Sequence, residues 1–301
     1  MKTGIIVLNY NTKDEVLECL RSIKELKQDK IKIKVYVVDN ASRDGSPGAI
    51  RAKFPDFVLI ENKKNLGFSA GNNVGIKRAL EDGAEAVLIL NPDTKIDSMA
   101  LLELSQILKE DPKTGIFAPK IYFYPTFEFH REKYRDEEKG KVIWYAGGKI
   151  DWKNVLASHR GVDEVDHGQF DRVEETEFAT GAAMYIKREV FDIIGFFNED
   201  YFLYLEDLEF SIRAREAGFK IIFTPKALVW HKWAQATGGG SRLQDYFITR
   251  NRLLFGLKYA PLRAKIALSK EAIKFIFDGQ TRRQAVFDFL THNLGQGSFK
   301  A

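Results

Sequence analysis

Short apolar runs alternate with amphipathic helical patterns through the first hundred residues of the chain. The apolar runs predict strands at 4–8, 31–38, 57–61 and 86–90. The segments between them predict helices at 12–26, from Ser46, at 69–81 and at 97–109, the first with the capping-box spacing of Thr12 and Glu15. Strand and helix in alternation indicate an α/β fold, in which a mainly parallel, mixed sheet is flanked by helices.

The pattern changes in the second half of the chain. Two polar stretches, 124–141 and 151–175, predict long loops or hairpins around short strands near 142–145 and 149–152. Further strands are predicted at 176–186, 220–223 and 227–230, and further helices at 205–217, at 242–258 and from residue 262. We therefore predict one sheet-bearing domain at 1–258 and a helical C-terminal extension at 259–301.

Composition narrows the class of protein. The 301 residues are 45% hydrophobic and 29% charged, which is typical of a globular protein, and a formal net charge of +4 is too small to indicate nucleic-acid binding. Cys19 is the one cysteine of the sequence, so no internal disulfide can form and a reducing cytoplasm fits. No apolar run has the length of a transmembrane helix, which predicts a protein that is soluble or bound to a membrane surface.

Polar side chains collect at the carboxyl ends of the predicted strands. Asn9 and Asn11 follow the first strand, Asp39 ends the second, and Asn91 and Asp93 follow the fourth. Ligands of open α/β sheets bind at this edge, where an aspartate can hold a divalent cation or accept hydrogen bonds from a ribose; the alternative is an ordinary turn residue. No Gly-x-Gly-x-x-Gly follows the first strand, which argues against a dinucleotide site.

A glycine- and asparagine-rich segment, 65–75, opens the predicted helix at 69–81. Asn65, Gly67 and Asn72 lie in it. Glycines let backbone amides approach a ligand closely, and a helix N-terminus favours anionic groups such as phosphates. The alternative is close packing of the helix on the sheet, which explains Gly75 equally well, so both interpretations stay open.

Titratable residues in the second half suggest catalytic and metal-binding roles. Glu206 and Asp207 stand at a helix start, where acids complement the helix dipole; flanking apolar residues would raise their pKa and suit one of them to act as a general base. His231 ends the predicted last strand, where it is either structural or a metal ligand together with Asp93.

Taken together, these segments resemble the family-two glycosyltransferases, which have the GT-A fold, and in particular their bacterial rhamnosyltransferase-like branch. The resemblance runs from about residue 3 to about residue 258. Its motifs are IVLNYN at 6–11, VDNASRDGS at 38–46, NLGFSAGNN at 65–73, LNPDT at 90–94, ED at 206–207 and TRNR at 249–252.

The resemblance implies an inverting, metal-dependent transfer from a dTDP- or UDP-sugar to a hydroxyl of a glycan or lipid-linked acceptor. Asp207 would be the catalytic base, with Glu206 as its helper. Asp93 and His231 would hold Mg²⁺ or Mn²⁺, Asn91 replacing the first acid of the family's Asp-x-Asp motif. The implied contacts to the nucleotide sugar are Asn9, Asn11, Asp39, Asn65, Gly67, Asn72, Asn91, Asp93 and Arg250, with Tyr246 and Asn251 near phosphates and Thr180-Gly181-Ala182 on the acceptor side.

The C-terminal extension mixes basic and apolar residues, as in helices that lie on anionic membranes. The alternatives are that these helices pack on the catalytic domain or that they pair two copies of the chain in a homodimer. The sequence leaves two alternative functions. A sugar nucleotidyltransferase would carry a glycine-rich, lysine-bearing loop after the first strand, which this chain lacks, and a non-catalytic nucleotide-sugar-binding protein would not need Asp93, Asp207 and His231.

Overall fold

The computed structural model describes residues 1–28, 31–107, 111–232 and 240–299. The strands are β1 (Lys2–Asn9), β2 (Lys32–Asp39), β3 (Val58–Glu61), β4 (Ala86–Leu90), β5 (Thr94–Ile96), β6 (Thr114–Phe123), β7 (Ile143–Tyr145), β8 (Gly148–Asp151), β9 (Leu156–His159), β10 (Glu174–Glu175), β11 (Ala183–Lys187) and β12 (Lys220–His231). The helices are α1 (Lys13–Lys24), α2 (Ser46–Lys53), α3 (Gly67–Glu81), α4 (Ala100–Ile107), α5 (Arg188–Ile194), α6 (Glu206–Glu216), α7 (Arg242–Tyr259), α8 (Leu262–Phe277) and α9 (Gln280–Leu290), with a short 3₁₀ helix at Arg131–Lys133.

A mixed sheet forms the centre of the part of the chain that the structure describes. Its strands run in the order β10-β12-β6-β11-β4-β1-β2-β3, with β5 paired to β12 and β7 to β6. Pairs among β1, β2, β3 and β4, and the β6–β12 pair, are parallel, whereas β11 runs antiparallel between β4 and β6. Strands β1 and β4 are buried almost throughout, as expected of strands covered on both faces. The predicted fold class is confirmed.

Several predicted elements differ from those observed. The strands predicted at 220–223 and 227–230 are one strand, β12, with a register shift between Thr224 and Leu228. The strand predicted at 176–186 starts only at Ala183, and residues 176–182, which end in a turn at 181–182, are not part of a strand. The predicted capping box is wrong, since the Thr12 hydroxyl donates to Asn9 Oδ1 at 2.8 Å and makes no cap hydrogen bond. The predicted end of the 97–109 helix lies outside the described residues.

Strand β6 and helix α5 were not predicted from the sequence. Strand β6 lies between β12 and β11 in the middle of the sheet. Its apolar pattern is broken by Lys120, whose side chain is nevertheless buried. The Lys120 ammonium lies 2.7 Å from both Asp166 and Asp171, and this pairing makes its burial possible.

The C-terminal helices pack directly against the sheet-bearing region. Leu268 of α8 and Val286 of α9 are buried in the same core cluster as the strands. A Cβ added to Gly256 of α7 would lie close to Leu268 and Val155, so α7, α8 and the β8–β9 hairpin are in close contact. No helix among the described residues is long and apolar enough to cross a membrane.

Candidate active site

A cavity of about 380 Å³ opens at the carboxyl ends of β1 and β4. We call it the central cavity. Its walls come from the β1 and β4 ends, the start of α3, the turn at 180–182, the segment 202–207, the end of β12 and the start of α7. Asp93 and Asp207 both line it, although more than a hundred residues separate them in the sequence. The sheet edge therefore brings these two predicted carboxylates to one cavity.

Asp93 and His231 form a close pair on one wall of the central cavity. Their positions follow from the β5–β12 pairing, which sets Thr94 opposite His231. Both side chains are nearly buried, and Asp93 Oδ1 lies 3.2 Å from His231 Nε2 without hydrogen-bond geometry, so Oδ1 has no hydrogen-bond partner among the described residues. Two cis ligands of an octahedral cation stand about 3 Å apart, because each lies about 2.1 Å from the metal.

The pair therefore fits two ligands of one divalent cation. No cluster of three or more His, Cys, Asp or Glu that could hold a metal occurs in the described ranges. Mg²⁺ is commonly held by one or two carboxylates together with substrate phosphates, and two protein ligands suffice for that arrangement.

Glu206 and Asp207 begin α6 on another wall of the central cavity. Asp207 Oδ2 accepts a hydrogen bond from the Gly181 amide at 2.8 Å. Burial raises the pKa of Asp207, while the amides of Gly181 and Leu208 act in the opposite direction. Burial and the neighbouring Asp207 charge raise the pKa of Glu206 well above its usual value, and Glu206 Oε2 has no partner among the described residues. Asp207 is thus the residue of the pair that more readily ionises to a carboxylate, and Glu206 the one that more readily keeps its proton.

The predicted glycine- and asparagine-rich segment lies at the rim of the cavity. Asn65 Oδ1 accepts from the Gly67 amide at 2.9 Å and from Asn40 Nδ2 at 3.1 Å, so Asn40 joins the β2 end to the α3 start. Gly67 has a φ of 78°, and a Cβ at this position would collide with Phe202. Asn65, Gly67 and Asn91 line the cavity, as does Asn40, which was not singled out from the sequence.

Asn9, Asn11 and Asp39 do not line the central cavity. Asn9 is fully buried and donates through Nδ2 to Asp39 Oδ1 at 2.7 Å and to Ser46 Oγ at 2.7 Å. Asp39 Oδ2 accepts from the Ser42 amide at 2.9 Å. Asn11 Oδ1 accepts from the Arg43 amide at 2.7 Å. In this structure these three residues hold the β1 and β2 ends together.

Asn72 and Arg250 also lie away from the central cavity. Asn72 is buried within α3, where its amide donates to Phe68 O at 3.0 Å. Arg250 is fully buried and donates to backbone carbonyls at Gly295 and Asp200. The neighbouring Asn251 and Tyr246 are buried as well, so none of these three side chains of α7 is exposed on the surface.

Aromatic residues of the central cavity were missed by sequence reasoning. Trp144 packs edge-on against His231, with ring centroids 4.5 Å apart, and against His159 at 4.4 Å. Burial lowers the pKa of His159 to about 4, so this histidine is neutral near pH 7. Both residues come from the polar middle of the chain, where only the concentration of aromatic residues could have indicated a binding element.

A second, more open groove of about 600 Å³ lies around Trp230, Tyr122 and Lys95. Trp230 pairs with Lys95 across β12 and β5, next to the His231–Thr94 pair. Successive residues of a strand point to opposite faces, so the groove is separated from the central cavity by the sheet. None of the predicted site residues lines it. The smaller, central cavity is therefore the candidate active site.

Curated relatives of the chain include named sugar transferases. It is 28% identical over 219 residues to the low-salt glycan biosynthesis hexosyltransferase Agl10 of Haloferax volcanii, covering 72% of this chain and 63% of that protein. It is 26% identical over 230 residues to the N-acetylglucosaminyl-diphospho-decaprenol L-rhamnosyltransferase of Mycobacterium tuberculosis, covering 68% of each. The chain thus spans less than two thirds of the length of Agl10. The predicted likeness to rhamnosyltransferases is confirmed.

Solved structures agree on the fold. The mannosyltransferase PcManGT from Pyrobaculum calidifontis, in complex with GDP-Man and Mn²⁺, superposes with a TM-score of 0.56 at 18% identity, covering 99% of this chain and 76% of that one. The family model for glycosyl transferase family 2 matches residues 4–195, which run from within β1 to the end of α5 and include the Asp93 side of the cavity. With this match over more than half of its length, the chain belongs to glycosyl transferase family 2 and carries the GT-A fold.

Proposed function

We propose that this chain is an inverting, metal-dependent glycosyltransferase. It moves a sugar from a nucleoside-diphosphate sugar to a hydroxyl of a glycan or lipid-linked acceptor in the synthesis of a surface polysaccharide. The observation that carries the proposal is the shared cavity, which has the Asp93–His231 pair on one wall and Glu206–Asp207 on another. A diphosphate on the first wall directs the anomeric carbon of its sugar toward the second.

The reaction is a single displacement at the anomeric carbon. Asp207 accepts the proton of the acceptor hydroxyl as the oxygen attacks, and the bond between the sugar and the diphosphate breaks on the opposite side. The raised pKa of Asp207 makes it a stronger base than an exposed aspartate. Asp93 and His231 would hold a divalent cation, which when bound offsets the charge of the departing diphosphate.

The donor test uses the full chain with dTDP-, UDP- and GDP-sugars, in Mn²⁺, Mg²⁺ or excess chelator. We expect metal-dependent nucleotide-sugar binding and slow donor hydrolysis, with dTDP-rhamnose among the donors that bind. Asp93→Asn should abolish the metal dependence of binding. Asp111→Asn, which changes an acid paired with Lys220 on the surface, is the matched control and should bind as the wild type does.

Three results would contradict the proposal. Donor binding that needs no metal and is unchanged in Asp93→Asn would show that the Asp93–His231 pair does not hold a cation for the donor. Formation of nucleotide sugar from a sugar phosphate and a nucleoside triphosphate would favour the nucleotidyltransferase alternative. Donor binding with neither hydrolysis nor transfer to any glycan or lipid-linked acceptor would favour a binding protein.

We further propose that helix α8 rests on the inner face of an anionic membrane, where a lipid-linked acceptor would lie. Leu262, Ile266, Ile273 and Phe277 are exposed, and they fall within about 60° of one another around the helix. The opposite side of α8 is buried through Ala264 and Leu268. The exposed basic residues Arg263, Lys270 and Lys274 border the apolar stripe on one side, and a basic amphipathic face complements anionic lipid.

Vesicle sedimentation tests this membrane contact. Three basic residues contribute about 3 kcal/mol, so phosphatidylglycerol vesicles should bind about 100-fold more tightly than phosphatidylcholine vesicles. Ile273→Glu should abolish binding, whereas Ile193→Glu, at an equally exposed isoleucine of α5, should not. Absence of vesicle binding together with an α8-dependent dimer would assign the stripe to a second copy of the chain.

A further inference from the structure

The segment directly before the acid pair has an unfavourable backbone conformation. Tyr204 and Leu205 have φ values of 72° and 70°, in the left-handed region that large side chains rarely adopt. They immediately precede Glu206 and Asp207 and line the central cavity. Such a conformation persists only where surrounding contacts impose it. We call residues 200–205 the 200–205 loop, and its contacts determine the backbone conformation directly before Glu206 and Asp207.

Side chains of helix α7 hold this loop through hydrogen bonds to the backbone carbonyls of the loop. Asn251 Nδ2 donates to Leu203 O and to Tyr204 O, both at 2.8 Å. Arg250 Nη2 donates to Asp200 O at 3.0 Å, and its Nε and Nη2 donate to Asn251 Oδ1 at 3.0 Å. Both side chains are fully buried. The two residues form one unit, in which the guanidinium orients the amide that fixes the strained turn.

Helix α3 holds the other side of the same loop. The Ser69 hydroxyl donates to Tyr201 O, and the Phe68 amide donates to Phe202 O at 2.7 Å. Every carbonyl from residue 200 to residue 204 therefore accepts a hydrogen bond from outside the loop. A loop fixed in this way cannot move without breaking buried hydrogen bonds, and each broken bond would leave a buried polar group without a partner.

The C-terminal tail completes the arrangement. Gly295 bridges to the loop, since its amide donates to Asp200 O at 3.0 Å and its carbonyl accepts from Arg250 Nη1 at 2.6 Å. Gly297 has a φ of 63°, and a Cβ there would lie 2.9 Å from Arg250 Nη1 and would collide with the Tyr246 hydroxyl. The tail thus fits closely against the Arg250 side chain.

We propose that Arg250, Asn251 and the tail at 294–298 are positioning elements that fix the 200–205 loop, and through it Glu206 and Asp207, in the geometry that acceptor transfer requires. This inference rests on the proposed function. It gives the C-terminal extension a role in the acceptor half of the site, whereas the donor half, at Asp93 and His231, does not depend on it.

Two variants test the proposal by hydrogen exchange and by kinetics. Asn251→Ala removes both bonds to the strained turn, and Gly297→Ala places a methyl group against Arg250. Gly279→Ala is the matched control, because Gly279 has a similar φ of 60° in the same extension and an added Cβ meets nothing within 4 Å. We expect faster amide exchange in peptides covering 200–207 for both test variants, and no change for the control.

The kinetic readout separates positioning from general loss of structure. For both test variants kcat for transfer should fall about 100-fold, while donor Kd stays within about twofold of the wild type. Donor affinity that falls in parallel with transfer, or unchanged exchange and unchanged transfer in Gly297→Ala, would overturn the inference. Faster loop exchange with no transfer by the wild type would refute the proposed function and leave the positioning of the loop supported.

Discussion

The Asp207→Asn substitution removes the proposed proton acceptor and keeps the shape of its side chain. The amide oxygen can still accept the hydrogen bond that the Gly181 amide makes to Asp207 at 2.8 Å, so the turn at 180–182 should be preserved. General-base catalysis contributes about 10²–10⁴-fold to a rate, which corresponds to about 3–5 kcal/mol of barrier. We expect transfer to fall by that factor and donor binding to stay unchanged.

The assay compares transfer rates with donor affinity across pH. In the wild type, kcat/KM should fall on the acid side at a pH above the ordinary aspartate pKa, because burial raises the pKa of Asp207 and the carboxylate is the active form. This acid limb should disappear in Asp207→Asn. A variant that keeps more than a tenth of the wild-type transfer rate with the same acid limb would refute the assignment of Asp207 as the base.

Three further predictions follow from buried groups. Burial raises the pKa of Glu206 in the folded protein, so the free energy of unfolding decreases as the pH rises and the buried carboxyl ionises. Glu206→Gln should therefore raise Tm at pH 8 and leave it unchanged near pH 4. A lower Tm at pH 8 would contradict this expectation. Gly181→Ala places a Cβ 2.8 Å from the Phe68 ring and 3.6 Å from Asp207 Cβ, so denaturant titration should show a loss of about 1–3 kcal/mol, whereas Gly48→Ala, which meets nothing within 4 Å, should show none. Burial raises the pKa of the Cys19 thiol to about 12, so a thiol reagent should label Cys19 only at the rate of unfolding, and fast labelling of the native protein would contradict its burial.

The sequence predicted the residues whose chemistry depends on strand ends. Asp93 and His231 could be placed near one another because the carboxyl ends of sheet strands meet at one edge, whereas Asp207, at a helix start, was linked to them by the family resemblance. Motif order then identified the family. These inferences needed only local patterns and the general geometry of α/β sheets.

The role of Arg250 and Asn251 could not be predicted in the same way. A basic residue beside an amide suggests a phosphate contact, but their partners are main-chain carbonyls some fifty residues earlier. The sequence of side chains does not show in which direction a backbone carbonyl points. Strand β6 was not predicted for a different reason: Lys120 breaks its apolar pattern, and the acids that allow its burial, Asp166 and Asp171, lie far along the sequence.

The β5–β12 ladder has a consequence for metal preference. Because main-chain pairing sets Thr94 opposite His231, the sheet and not the identity of residue 231 determines how far apart the backbones of the two proposed cation ligands lie. An exchange such as His231→Asp would replace a nitrogen donor by an oxygen donor on an unaltered scaffold. Hard cations such as Mg²⁺ favour all-oxygen ligand sets. A single substitution at residue 231 would therefore change which divalent ion the proposed site prefers without changing the fold.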